Sequence, residues 1–563
     1  MYKYGRILML KPKRIKNNRN KRGAINANKN MALSKKAKNI LEDKKTVYFA
    51  LTIILLYTAI YSILNATGPS NFGDDVAYAG LANQIATGTF HESSYIFSLR
   101  ILQVYPIAFF YWLLGANIYT SQAWDSLSFV LTIVITFYIG KEIYSEYAGL
   151  LAAFLMSFFP ISVVYAMTMS DNIPMMLFAS AAMLALIKAE KRKSRFWYFV
   201  LAPFALASFL VTPEGGIIGV VIVAYLAVEI FRKKIKVDRI FLFFFYGIIV
   251  FMFLLLLFNY WNSGNPFISI TGTAHFFSAV GGQNTIPSTD TNLSFYFNIM
   301  FPYTPQVMFG GIYDMLSNQN TVGFYFYALA ASLVYLAIRK EKRAYFPAFW
   351  FFAGFLYLEM GPMHISINPL QYLLMYRIDR YLNLVAVPVA LLIAIAITRS
   401  VGNIKKINGK TLAALEVSAL SLLFIIGTAL LIDRRWSSIM YAQRYDQVQI
   451  AQYLSALPNT TKIYYVNGLS DVMIYNGFSN MSRYHNYADM PNCSDLPVGA
   501  YVIVPKYATF DNLNYTPDPN EYCSGWSIAL DPGVPPGISQ LVNGSSSHFY
   551  AWLYYVQSNS TSK

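Results

Sequence analysis

NFGDDVAYAGLANQIATG (71–88) holds two adjacent carboxylates, Asp74 and Asp75, a short distance beyond an apolar run that closes at Leu64. An acid pair so near the end of a membrane-length segment falls at headgroup depth. Desolvating two carboxylates there is costly, so the pair points to an ion path, a metal or acid–base chemistry. A further isolated acid, Asp171, recurs in MTMSDNIPMM (167–176), again at the end of an apolar run.

The surroundings of that stretch set the class. The chain has 563 residues, 56% of them hydrophobic, 17% aromatic and only 13% charged, with a mean hydropathy of +0.39. A soluble protein carries about a quarter charged residues. The apolar residues fall in runs of the length that crosses about 30 Å of hydrocarbon as a helix. The chain therefore reads as a polytopic α-helical membrane protein with about eleven transmembrane helices. The expected spans are 46–64, 120–140, 147–167, 173–189, 196–212, 216–231, 240–259, 322–338, 346–361, 381–398 and 412–432.

Charge placement orients them. KAEKRKSR (188–195), FRKKIKVDR (231–239), IRKEKR (338–343) and TRSVGNIKKINGK (398–410) all fall on the side of the basic leader when the spans alternate. By the positive-inside rule that side is the cytoplasm, with the N-terminus inside and the C-terminus outside a cell membrane. The net charge of +16 is concentrated in the same places. The leader, 1–45, has no apolar region before Thr46 and is not expected to be a cleaved signal peptide. A basic, aromatic-poor flank beside a first helix suits anionic membrane lipid as partner, not nucleic acid.

Three domains result: the leader, a membrane domain over 46–432 and an extracytoplasmic tail over 433–563. Two outer loops, 65–119 and 260–321, belong to the membrane domain, and the first carries the acid pair with two amphipathic stretches expected in the interface. The tail reads as a small α/β domain. SIMYAQRYDQVQIAQYLSAL has helical spacing, and KIYYVNG and GAYVIVPK are short strands. Sequons at Asn65, Asn292, Asn459, Asn480, Asn492, Asn514, Asn543 and Asn559 all fall on the expected outside. Both cysteines, Cys493 and Cys523, lie in the tail, where a disulfide is expected. No Cys-His spacing suggests a metal.

Helix capping is the simplest account of the acids. Asp74-Asp75 precedes an amphipathic helix, and Asp171 precedes Asn172 and Pro174 as at an ordinary helix start. The set of segments suggests more. DDVAYAGLANQIATG, YPIAFFYWLLG, AGLLAAFLMSFFP, MSDNIPMMLFASAAMLALI, VTPEGG (211–216) and YRIDRYLNLVAVPVALLIAI (376–395) together resemble the GT-C class of membrane glycosyltransferases. The likeness is greatest to the protein O-mannosyltransferase and aminoarabinose transferase group, and it covers about 60–400.

That resemblance implies transfer of a sugar from a polyprenyl-phosphate donor to an acceptor on the outer membrane face. It implies a general base at the first acid of the pair, Asp74. The family often has Asp-Glu there, so Asp75 leaves open which acid is the base. Asp171 joins them as the third expected catalytic acid. A carboxylate within hydrogen-bond reach takes the proton of an acceptor hydroxyl, and single displacement inverts the anomeric centre. The lipid-phosphate leaving group needs cationic stabilisation, for which Arg100, Arg377 and Arg380 are candidates because a guanidinium fork binds two phosphate oxygens. Membrane-edge anchoring is the plainer role for each. Glu92, Glu214 and His275 are further cavity candidates. No cofactor is required; a divalent metal remains an option, with Asp75, Glu92 and His275 as its ligands.

Rival classes leave different marks. A transporter places its acids near the bilayer midplane on broken, repeated helices, and no internal repeat is evident. A non-catalytic glycan-binding relative has no need of Asp74, Asp75 and Asp171 together. No WWDYG-like segment marks an oligosaccharyltransferase catalytic subunit, and no GxxxxGKS or GxGxxG loop marks a nucleotide site. The sugar, the acceptor and the lipid length are not encoded legibly.

Overall fold

A computed structural model describes residues 44–66, 68, 74–90, 95–233, 239–273, 324–367, 370–374 and 379–404, and a few positions between 421 and 429. It also describes 441–466, 481–487, 495–505, 523, 525–530 and 551–558. The membrane part runs through α1 (Lys44–Leu64), α2 (Asp74–Thr87), α3 (Ile101–Leu114), α4 (Ile118–Ile143), α5 (Glu146–Ser157), α6 (Pro160–Ala166) and α7 (Asn172–Arg192). It continues with α8 (Arg195–Val211), α9 (Gly216–Phe231), α10 (Leu242–Ser263), α11 (Tyr325–Ile338), α12 (Tyr345–Met360) and α13 (Asn383–Ile404). Helix is the form that satisfies every backbone N–H within its own apolar segment.

Ten of the eleven expected spans coincide with these helices, and the eleventh, 412–432, lies outside the described residues except at a few positions. Among the described residues only six helices have the length and apolarity to cross a membrane, or seven with α5 and α6 taken as one bent span. Others are apolar but shorter, among them α8 and α11 at 17 and 14 residues. The run 147–167 also departs from a straight span. Pro160 lacks an N–H and holds Phe159 extended, so α5 and α6 meet at a bend of 61°.

Centre and periphery follow from burial. The apolar windows of α7 and α13 are 83% and 89% buried, against 11% for α10 and 22% for α1, so the first two form the core and the last two line the outside. Helix α4 crosses α5 at a small-residue contact. A Cβ on Gly140 would lie 2.7 Å from the Gly149 Cα, so glycine is what permits the approach. The two helices of the first loop pack together, with Tyr78, Ala79 and Ala82 of α2 against Val104, Ile107 and Tyr111 of α3 and against Met169.

Charge collects at one end of the bundle. Lys141 at the end of α4 pairs with Glu146 at the start of α5 at 2.7 Å, and Arg192 at the end of α7 pairs with Glu142 at 3.1 Å. Arg399 near the end of α13 pairs with Glu341 at 3.5 Å. The starts of α7 and α13 lie at the other end, about 30 Å away for helices of 21 and 22 residues.

Outside the helices, β1 (Pro362–Ile367) and β2 (Leu370–Leu374) form an antiparallel hairpin just before α13, which periodicity did not reveal. In the tail, α14 (Tyr441–Ser455) accompanies β3 (Ile463–Val466), β4 (Tyr484–Tyr487), β5 (Tyr501–Pro505), β6 (Trp526–Leu530) and β7 (Ala551–Val556). Their order is β4-β3-β5-β7-β6, with β3 parallel to both neighbours and β7 antiparallel to both of its own. Ile450, Ala451 and Leu454 of α14 cover one face at Ile463, Ile503 and Leu553. The opposite face holds Val502, Val504, Trp526 and a buried, disulfide-bonded Cys523. Cys493 lies outside the described residues.

Candidate active site

Four chain segments deliver the site. Asp74 opens α2, Arg100 immediately precedes α3, Asp171 immediately precedes α7, and Arg380 sits in a single helical turn, Asp379–Leu382, that leads into α13. Each functional side chain is therefore fixed at a helix start while its helix is held by the core.

The capping account of Asp171 does not hold. Its backbone is already helical, at φ −62° and ψ −19°, and its side chain caps nothing. The carboxylate is buried and turns to other elements. Its Oδ2 accepts from Arg100 Nη1 at 2.6 Å and from the Tyr78 hydroxyl at 3.0 Å, and its Oδ1 accepts from Asn172 Nδ2 at 2.8 Å. The same Arg100 Nη1 stands 3.6 Å from Asp74 Oδ2, and that oxygen accepts from Arg380 Nη2 at 3.1 Å. Asp74 thus lies between two guanidinium groups, and Asp171 shares one of them. Arg100 also donates to the Tyr78 hydroxyl and lies over the Phe97 ring, 4.9 Å from its centroid.

Second contacts hold the arginines. The Arg380 carbonyl accepts from Asn383 Nδ2 at 2.9 Å, and Asn383 Oδ1 accepts from the Ser162 hydroxyl of α6 at 2.6 Å. The bend before α6 is what carries Ser162 to that position. Beside Arg380, the Tyr381 hydroxyl donates to Glu214 at 2.8 Å, and Thr212 donates to the other Glu214 oxygen. Burial and the nearby Asp74 charge raise the Tyr95 hydroxyl above its ordinary pKa. The Nε–H groups of both Arg100 and Arg380 are buried and have no acceptor among the described residues. Two guanidiniums with unspent donors beside one carboxylate make an anion-binding arrangement.

Asp75 is placed differently from its neighbour. It is buried, and its Oδ1 accepts from the Val76 backbone N–H at 3.1 Å, in keeping with service to its own helix start. Glu92, His275 and Arg377 lie outside the described residues. Among the described residues no three His, Cys, Asp or Glu side chains gather as a metal set.

Two residues escaped the sequence reading. Tyr78 bridges α2 to Asp171. Asp125, in SQAWDSLSF (121–129) of α4, is fully buried and faces the Gln103 amide and the Ser170 backbone, though none of these reaches hydrogen-bond geometry among the described residues. An ionisable residue inside a span is a recognised functional signal, and Asp125 carried it.

An apolar cavity of about 490 Å³ opens next to Arg100, between α8, α10 and the segment before α3. Leu99, Phe209, Pro213, Met252 and Leu255 line it, and Arg100 supplies its charge.

The fold has counterparts among known proteins. Residues 101–258 match the family described as dolichyl-phosphate-mannose-protein mannosyltransferase. Over its length the structure is similar to ArnT of Cupriavidus metallidurans bound to undecaprenyl phosphate, with a TM-score of 0.52 at 11% identity, covering 89% of this chain and 97% of that one. It is also similar to the Archaeoglobus fulgidus oligosaccharyltransferase in the apo form, with a TM-score of 0.51 at 14% identity, covering 82% of this chain and 70% of that one. The same archaeal enzyme tethered to an acceptor peptide gives a TM-score of 0.50 at 14% identity, covering 83% and 70%. No curated protein sequence matches the chain. The chain is a multi-pass helical membrane protein resembling the GT-C class, and its fold is the one these transferases share.

Proposed function

We propose that the protein is an integral-membrane glycosyltransferase that moves a hexosyl or pentosyl group from a polyprenyl-phosphate donor to an acceptor hydroxyl. The observation that carries this reading is Asp74, held between Arg100 and Arg380 beside Asp171. The mannosyltransferase family match and the fold shared with an undecaprenyl-phosphate-bound transferase support the donor class.

In this mechanism the donor phosphate lies against the guanidinium groups of Arg100 and Arg380, whose Nε–H groups have no acceptor among the described residues. The phosphate competes with Asp74 for the arginines, which frees the carboxylate to receive a proton. The acceptor oxygen attacks the anomeric carbon, its proton passes to Asp74, and the bond from that carbon to the phosphate oxygen breaks. The electron pair leaves with the lipid phosphate, whose charge the arginines stabilise. Attack from the face opposite the leaving group inverts the anomeric centre. Asp171 holds Arg100 in place, and Asp75 supports the start of α2. The cavity beside Arg100 suits the first isoprene units of the donor lipid. With the basic end of the bundle in the cytoplasm, the reaction takes place on the outer membrane face.

Membranes containing the full chain, supplied with a panel of labelled polyprenyl-phosphate sugars, provide the test. Asp74→Asn should lower transfer by about a hundredfold or more, as expected when a general base is removed. Full transfer by Asp74→Asn rejects it as base. A loss confined to Asp75→Asn assigns the base to Asp75.

A further inference from the structure

A second cavity, of about 600 Å³, lies at the basic end of the bundle. Leu333, Leu336 and Ala337 of α11, Ala348 and Phe352 of α12 and Leu392 of α13 form its apolar wall. Its rim is charged, with Arg232, Lys340, Glu341 and Lys342. The rim's carboxylate is already committed, since Glu341 pairs with Arg399 at 3.5 Å. Arg232 pairs with Glu229 at 3.3 Å and lies 4.8 Å from the Tyr345 ring centroid. Lys340 and Lys342 are exposed and have no carboxylate partner among the described residues. Lys340 adopts a left-handed backbone, φ 48°, which turns the chain tightly between α11 and α12 and keeps both lysines at the cavity mouth.

We propose that this cleft binds an anionic phospholipid, with its phosphate between Lys340 and Lys342 and an acyl chain along Leu336, Ala337, Ala348 and Phe352. The apolar wall excludes a purely polar occupant, because burying ions or amides against it without partners is costly. Two unpaired cations at the mouth favour a negative headgroup over a zwitterionic one, and basic clefts between membrane helices are suited to such lipids. Lysines that merely snorkel to the surface would attract anions without using the cleft. Arg339 separates the two cases. It lies in the same turn with the same charge, but it sits over the Tyr335 ring, 5.7 Å from the centroid, and does not line the cavity.

The test uses the full chain, purified in detergent and stripped of lipid, with binding read by native mass spectrometry. The probes are phosphatidylglycerol, phosphatidylcholine of the same chain length, and free glycerol phosphate. Phosphatidylglycerol should bind in preference to the other two. The double variant Lys340→Gln/Lys342→Gln should weaken it about thirtyfold, the combined effect expected of two near-surface cations. Arg339→Gln should leave affinity within about twofold with unchanged thermal unfolding, and Ala348→Trp should block binding by filling the cleft. Equal binding of both phospholipids overturns the proposal. So does an equal effect of Arg339→Gln, or tight binding of glycerol phosphate alone.

Discussion

Arg100 Nη1 and Asp171 Oδ2, 71 positions apart in the chain, meet at 2.6 Å with both side chains nearly excluded from solvent. A buried ion pair adds little net stability, but removing one partner strands the other charge at a cost of about 3–5 kcal/mol. Asp171→Ala should therefore unfold at a clearly lower temperature than the parent protein, while Asp171→Asn, which keeps an acceptor for Tyr78, should lose less. Thermal melts in detergent with intrinsic fluorescence measure both, and equal melting of all three proteins would show that the pair is not closed in solution.

Tyr78→Phe isolates one hydrogen bond. The hydroxyl donates to Asp171 and accepts from Arg100, and a bond to a charged group contributes about 1.5–3 kcal/mol. Transfer should fall about tenfold or more, and melting should fall only by what that bond contributes, because the ring still packs against Phe97 in an edge-on contact. A rate equal to that of the parent protein would exclude Tyr78 from setting the Arg100 position.

Arg380→Lys keeps the charge and removes the planar fork. Its effect should fall on donor binding, raising the KM for the polyprenyl-phosphate sugar about tenfold, since a lysine engages phosphate as a point charge. An unchanged KM with lowered kcat would place Arg380 at the transition state only.

Asn383 ties the Arg380 carbonyl to Ser162 across α13 and α6. Asn383→Leu should reproduce the donor-binding defect of Arg380→Lys in milder form and destabilise the protein by about 1–3 kcal/mol, because the Arg380 carbonyl loses its donor and Ser162 is left with only the weak Met176 Sδ acceptor. Ser162→Ala in the same background should recover part of that stability, because both polar partners are then gone.

Asp125 is buried against Gln103 and Ser170, near enough to Asp171 for the two charges to interact. Asp125→Asn preserves shape and polarity and should retain activity, whereas Asp125→Leu should lower kcat with little change in KM. Similar activity of both variants would make Asp125 a packing residue without influence on the site.

Much of this arrangement was legible in the chain. Asp74 and Asp171 stood out because acids beside apolar runs are costly, and Arg100 and Arg380 because cations near the same helix ends can answer them. Their pairing was not legible, since it depends on contacts across as many as 306 positions, which no local periodicity encodes. Tyr78 was hidden among 44 tyrosines. Asp125 was absorbed into a span whose Trp124, Leu127 and Phe129 carry the apolar signal. Pro160 lies inside the third expected span, which was read as unbroken, and its consequence, bringing Ser162 to Asn383, required the packed bundle. The number of crossings was less legible, because apolar helices of 14–17 residues read as spans yet fall short of the length that crosses a bilayer unaided.

The distribution of the site along the chain also orders its birth. Asp74, Arg100 and Asp171 are synthesised early and can engage as soon as α7 is in the bilayer. Arg380 emerges some two hundred residues later with α13, the helix most enclosed by the others. A nascent protein lacking α13 holds Asp74 with one guanidinium instead of two. If the proposed mechanism holds, half-made chains lack the second anchor for a donor phosphate, and catalytic competence arrives only after α13 has been inserted.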